Sequence, residues 1–171
     1  LLRMYLMLEA LQTVDFVDQV ATFLDNDLCD LTREYGGIIV LGEAGLNVYA
    51  MPSAKDHSTM ENGNNRYFIP DEAFTTPSLG IVHGHAIRED CTHWAGASSV
   101  DEESAINSID NRGAGHYFVL TLLKDDRFNV AYYGGQIECV DERVTIVGTW
   151  CEREPVFHTF DLGTYSYAQN P

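Results

Sequence analysis

Basic residues are scarce in this sequence: Lys and Arg number 10 against 26 Asp and Glu, a formal net charge of −16. Only Lys55 and Lys124 are lysines. No basic stripe exists to neutralise phosphates, which excludes an electrostatic grip on nucleic acid or on an anionic membrane surface. Long apolar runs are also missing. The opening stretch Leu1–Leu8 is interrupted by Arg3 and followed by Glu9, Asp15 and Asp18, so neither a signal peptide nor a membrane span is expected there. Cys29, Cys91, Cys139 and Cys151 are scattered without a C-x-x-C, which removes support for a four-thiolate zinc site. Two disulfides are arithmetically possible, but a chain this long does not need them, so four buried or idle thiols in a cytoplasmic protein, or in part of a larger one, are the expectation. Repeats and low-complexity tracts are absent as well.

What is present is enough for a core. The 171 residues are 45% hydrophobic and 11% aromatic, which excludes wholesale disorder and suits one domain of ordinary size. Residues 4–28 carry Leu6, Leu8, Leu11, Val14, Val17, Val20, Ala21 and Leu24 at helical spacing, so residues 1–28 are read as an N-terminal helix packed on the domain. Short β-branched or aromatic runs predict strands at Ile38–Leu41, Leu46–Met51, Tyr67–Ile69, Leu79–Val82, Tyr117–Leu123, Phe128–Tyr133 and Val144–Trp150. Residues 52–66 read as a polar loop and Pro70–Phe74 as a helical turn. Ser99, with Glu102 three positions on, predicts an N-cap for a helix ending near Arg112. Turns are expected at Asp125–Asp126 and Gly134–Gly135. Residues 29–151 then form an α/β domain with a mixed sheet flanked by helices, and 152–171 a partly ordered tail.

Chemistry concentrates at His83-Gly84-His85. Side chains two apart on a strand share a face, so both imidazoles can converge on one ion. Neutral imidazole is a preferred zinc ligand, and this pair closes a buried-looking strand. Downstream, Ser98-Ser99-Val100-Asp101 opens the predicted helix, where Asp101 can act as a further ligand and Ser98 as a hydrogen-bond donor. Upstream, Glu34 precedes Tyr35-Gly36-Gly37 and a strand. His57, His116 and His158 are read as surface or capping residues.

In order, Glu34-x-x-Gly37, His83-x-His85 and Ser98-x-x-Asp101 resemble the signature of the JAMM metallopeptidases, also called the MPN+ or JAB-domain family. The resemblance covers residues 34–101 by motif and extends to about 150 by element order. It implies a JAB/MPN-like (cytidine-deaminase-like) single domain. It also implies Zn²⁺ held by His83, His85 and Asp101, Glu34 as general acid/base and Ser98 as oxyanion donor. The reaction implied is hydrolysis of a peptide or isopeptide bond in a protein or peptide substrate, with ubiquitin-like or sulfur-carrier proteins among the substrate classes.

The chain departs from the family pattern in two places. Ala86 stands where the family has Pro, and Asp101 follows His85 by sixteen positions, more than the family's usual spacing. A surface loop absorbs such an insertion at little entropic cost. Residues 86–97 include Ile87, Asp90, Cys91, His93 and Trp94, and they are expected to wall the substrate groove with Trp94 near the zinc. Two other readings fit the same residues: a catalytically inactive MPN-like binding scaffold, and a hydrolase using Cys91 as nucleophile.

Overall fold

The apolar period at the start of the chain folds as helix, but in two pieces. The computed structural model describes residues 2–29, 34–54, 67–85, 96–123 and 126–166. Helix α1 spans Leu2–Ala10 and α2 spans Val14–Cys29, where the sequence predicts one helix over 4–28. The break comes from Thr13. Its hydroxyl donates to the Ala10 carbonyl at 2.7 Å, and its own carbonyl accepts from the Val17 N–H at 3.2 Å. One residue therefore closes the first helix and opens the second, while Leu11 in the junction stays buried.

Strands β1 (Gly36–Gly42) and β2 (Gly45–Met51) form an antiparallel hairpin. After helix α3 (Asp71–Thr75), β3 (Gly80–His85) pairs antiparallel with β1 and parallel with β4 (Ala114–Leu123). The parallel step needs a crossover, which helix α4 (Ser99–Arg112) supplies. Strand β5 (Arg127–Thr145) returns antiparallel on β4, and β6 (Gly148–Ser166) antiparallel on β5. The outcome is a mixed six-stranded sheet in the order β2-β1-β3-β4-β5-β6, with four helices among the described residues. The chain is α/β with a mixed sheet, as its pattern predicts.

Alternation along the strands sorts the core into two layers. Ile39, Val82, Phe118, Leu120, Phe128 and Val130 face Met7, Phe16, Val20 and Leu24 of α1 and α2. Ile38, Ile81, Tyr117, Val119, Ala131 and Tyr133 form the other layer with Ala73 of α3 and Ala105 of α4. The Arg3 guanidinium donates to the carbonyls of Ser78, at 3.0 Å, and Leu79, pinning α1 to the entrance of β3. Helix α4 is pinned by the Tyr117 hydroxyl, which donates to Ser108 Oγ at 2.6 Å.

Several local expectations differ from the structure. Tyr67–Ile69 joins no ladder; isolated bonds hold it, Ala54 N–H to the Phe68 carbonyl and Phe68 N–H to Ser53 Oγ. Gly134–Gly135 is no turn, because β5 runs straight through it. Gly134 has φ 141°, and a Cβ there would sit 2.1 Å from the Gly115 carbonyl oxygen, so glycine serves a close cross-strand approach. The predicted strand Val144–Trp150 contains the hairpin turn at 146–147. The stretch from Glu152, read as a partly ordered tail, forms most of β6. Asp126 does adopt a turn conformation, at φ 53°.

Beyond Gln136, the last residue paired to β4, β5 and β6 continue as a two-stranded ribbon. Cys139 and Cys151 form a disulfide across it, with Cα atoms 5.7 Å apart. This corrects the expectation of four buried or idle thiols: the turn at 146–147 brings two cysteines twelve positions apart into adjacent strands. No helix among the described residues is long and apolar enough to cross a membrane.

Core and ribbon tip should respond differently to truncation. Leu24 is 0% exposed, whereas Ile146 at the turn is 107% exposed. Leu24→Ala is expected to cost about 2–5 kcal/mol in urea unfolding, and Ile146→Ser to change stability by no more than about 0.5 kcal/mol. A large loss from Ile146→Ser would mean that the tip is packed against something in solution.

Candidate metal centre

Strand β3 lies between β1 and β4 and is buried along Gly80–Gly84. Its alternation sends Val82 to the α1–α2 layer and Ile81 to the α4 layer, so His83 and His85 follow Ile81 toward α4. Their Nε2 atoms stand 3.0 Å apart. Asp101, in the first turn of α4, brings Oδ1 to 3.3 Å from His83 Nε2 and Oδ2 to 3.6 Å from His85 Nε2. Three donor groups thus form a triangle with contacts of 3.0, 3.3 and 3.6 Å, the last two made by different oxygens of Asp101. Tetrahedral zinc with bonds of about 2.0–2.1 Å needs ligand atoms about 3.3 Å apart. The donor set fits that ion in both spacing and chemical type.

The protonation states suit a cation as well. Burial, reinforced by His83, lowers the His85 pKa to about 4 against the opposing pull of Asp101, so the ring is neutral at pH 7. Burial works against ionising Asp101. The hydrogen bond and charge of His83, with help from Ser98 and His85, outweigh it and hold the carboxyl well below the usual carboxylate range. A neutral imidazole and an ionised carboxylate are the forms that ligate metal.

Asp101 is placed by the start of α4. The sequence predicts Ser99 as N-cap with Glu102; the structure instead uses Ser98, in extended conformation, with Asp101 as its capping-box partner. The Ser98 N–H and hydroxyl each donate to Asp101 Oδ2 at 2.7 Å, and Ser98 Oγ accepts from the Asp101 N–H at 3.3 Å. The Ser98 proton, expected to face an oxyanion, is directed in this arrangement at the carboxylate.

Glu34 reaches the centre through strand register. Gly36 is paired with His83 on antiparallel β1 and β3, so two residues earlier Glu34 comes opposite His85. The Gly84 N–H donates to the Tyr35 carbonyl at 2.9 Å and locks this approach. Glu34 Oε2 accepts from the Tyr67 N–H at 3.0 Å. Tyr67 can lie this close because position 36 is glycine; a Cβ there would sit 2.0 Å from the ring. One carboxylate oxygen of Glu34 and one ring nitrogen each of His83 and His85 lie within 4.8 Å of one another.

One member of the site was not foreseen. The Tyr133 hydroxyl, buried on β5, stands 3.4 Å from His83 Nδ1. Burial, with the charges of Asp101 and Glu34, raises its pKa well above the ordinary value, so it stays a phenol. When its oxygen accepts from Nδ1–H, the Nε2 lone pair of His83 is left facing the triangle. Phe128–Tyr133 reads from sequence only as a strand; the strand order puts it two strands from His83.

Cys91, Asp90, His93, Trp94 and Ile87 lie outside the described residues, as does His57, so the expected groove wall at 86–97 is described only from Gly96. His116 is half-buried, not a surface cap. It stacks on Tyr132, with Nδ1 2.8 Å from the hydroxyl. His158 is exposed on β6 beside Phe160. No protein-family model and no curated protein matches the chain.

The lowered histidines predict an acid-sensitive fold in the presence of a chelator. His85 and His116 both titrate near about 4 in the folded chain, against 6.5 unperturbed. The unfolded chain therefore binds more protons between those values, and stability falls as pH drops from 6.5 to about 4. His85→Gln should reduce this slope, leaving the share due to His116. An unchanged slope in urea midpoints measured across that window would show that His85 titrates normally.

Proposed function

We propose that the chain is a zinc-dependent amide hydrolase of the JAMM/MPN+ type on a JAB/MPN-like fold, cleaving a peptide or isopeptide bond of a protein or peptide substrate. The observation that carries this reading is the convergence of His83, His85 and Asp101, whose contacts of 3.0, 3.3 and 3.6 Å lie near the ligand spacing of tetrahedral zinc. Three protein donors leave a fourth position for water or substrate, the mark of a catalytic site and not of a structural one. The order of Glu34, the histidine pair and Ser98-x-x-Asp101 around β3 and α4 supports the family resemblance. Ubiquitin-like and sulfur-carrier proteins are the substrate classes that resemblance offers.

Zinc, when bound, supplies Lewis-acid polarisation and brings the pKa of a water to about 7. Glu34 takes the proton released as water attacks the carbonyl carbon, and returns it to the amine as the C–N bond breaks. Its carboxylate accepts from the Tyr67 N–H and lies within 4.8 Å of the histidine nitrogens, close enough to serve a water at the centre. Ser98 orients Asp101 and turns its hydroxyl toward the carbonyl oxygen as charge develops there. Tyr133 keeps the His83 ring in the orientation its Nε2 needs.

Elemental analysis after zinc incubation should find about one zinc per chain, lost on His83→Ala or His85→Ala. Wild-type protein that takes up no zinc overturns the reading. Glu34→Gln should keep the metal and the fold while slowing amide cleavage by roughly 10²–10⁴-fold; release of zinc by this variant would make Glu34 a ligand instead. Tyr133→Phe should weaken zinc binding by about 10–100-fold in chelator competition. Unchanged affinity would reduce Tyr133 to a packing residue.

A further inference from the structure

Beside the candidate centre, on the same face of the sheet, lies a cavity of about 220 Å³. It is smaller than the roughly 300–1,000 Å³ that a whole small ligand fills, and suits one long side chain. Its position follows from register: His85 pairs with Thr121, and Thr121 with Asn129, which lines the cavity. Two strand spacings put Asn129 about 10 Å from His85. Gly96 forms the wall between them, its N–H donated to Thr121 Oγ1 at 3.2 Å.

The lining is short of donors and rich in acceptors. Glu102 and Asp161 both line the cavity, and no basic residue does so among the described residues. Asp161 Oδ1 accepts from Asn129 Nδ2 and from the Gly163 N–H, each at 2.9 Å. Asn129 is 6% exposed. Its Nδ2 donates again to the Gly163 carbonyl at 3.2 Å, so both amide protons are used. Its side-chain oxygen has no partner among the described residues, and neither does the Glu102 carboxylate. A nearly buried, unpaired acceptor costs free energy unless a donor is brought to it. The Thr159 hydroxyl can turn either way, and Ala131 and Phe160 supply apolar wall for a methylene stem.

We propose that this cavity is the subsite that receives a cationic substrate side chain, lysine or arginine, from a residue flanking the scissile amide. The assignment rests on the hydrolase reading for the word substrate, but the cation site stands on its own residues. Two carboxylates between low-dielectric walls concentrate positive charge, and Asn129 and Asp161 offer fixed acceptors for a guanidinium or ammonium head. A chain length of about 10 Å from the centre is spanned by one such side chain and a residue of extended backbone.

The test titrates the full chain, with and without zinc, using Nα-acetyl-argininamide, Nα-acetyl-lysinamide and Nα-acetyl-norleucinamide, followed by NMR. Peptide cleavage is measured in parallel. The cationic amides should bind at least about 10-fold more tightly than the neutral one, an advantage of roughly 1.4 kcal/mol. Glu102→Gln should cut that preference several-fold, and Glu102→Lys should abolish it by placing an ammonium in the cavity. Both should leave zinc content unchanged, and Glu102→Gln should leave Tm nearly unchanged, because the Glu102 side chain has no partner among the described residues. Asp161→Asn should act like Glu102→Gln. Equal binding of all three amides, or a preference untouched by both Glu102 variants, overturns the subsite. A cation preference that survives while zinc is not bound or no amide is cleaved overturns the hydrolase reading and leaves the cation site standing. Cleavage with no preference for basic peptides does the reverse.

Discussion

Asp101 serves a helix and a pair of histidines with one carboxylate, and the arrangement of the centre depends on that double use. Oδ2 accepts two hydrogen bonds from Ser98 at the start of α4, while the two oxygens stand 3.3 and 3.6 Å from the histidine nitrogens. A capping box normally ends its work at the helix terminus. Here the same box fixes the χ angles of a carboxylate that faces a buried and a partly buried imidazole. Because α4 is also the crossover between β3 and β4, the helix cannot be displaced without parting the strands that carry the site. Ala105 and Ile109, both buried, and the Tyr117–Ser108 hydrogen bond hold its far half against the sheet.

The second constraint is the central place of β3. A strand hydrogen-bonded on both sides has few ways to shift, so His83 and His85 inherit positional precision from six strands of ladder. Glu34 arrives through the β1–β3 pairing and Tyr133 through β4 and β5, so groups from four segments meet without any of them lying on a long loop. A site supported this way is preorganised: its groups are held by packing and register before any ligand arrives. The electrostatics agree with the geometry. Burial keeps His85 neutral, whereas Asp101 is held ionised against its burial by His83, Ser98 and His85, the two protonation states that ligate a cation.

Periodicity carried much of the architecture. The helix ending at Arg112, the hairpin of β1 and β2, and the strands entering His83 and leaving Tyr117 are legible because local hydrophobic alternation matches the layer each segment occupies. Periodicity failed where one polar group or one close contact decides the outcome. Thr13 interrupts a helical period that continues unbroken in hydrophobicity. Gly134 looks like a turn residue but serves a strand crossing at 2.1 Å from a carbonyl for any added Cβ. The β6 strand reads as a tail because most of its side chains face solvent, so hydrophobic alternation is weak and backbone pairing with β5 supplies the order.

By itself, the sequence determined which chemistry was available: an x-x-Gly-spaced acid, two histidines on one strand face and a serine–aspartate pair suited to a helix start. These are local facts, set by side-chain type and by the two-residue and helical periods. Tertiary structure alone decided that they meet. The antiparallel register set Glu34 opposite His85, the crossover swung Asp101 back over β3, and the strand order delivered Tyr133 to His83 and two cysteines to each other. Each of these is a distance between segments far apart along the chain. Such distances are set by how two apolar layers close on a twisted sheet, a property of the whole core that no short stretch of sequence encodes.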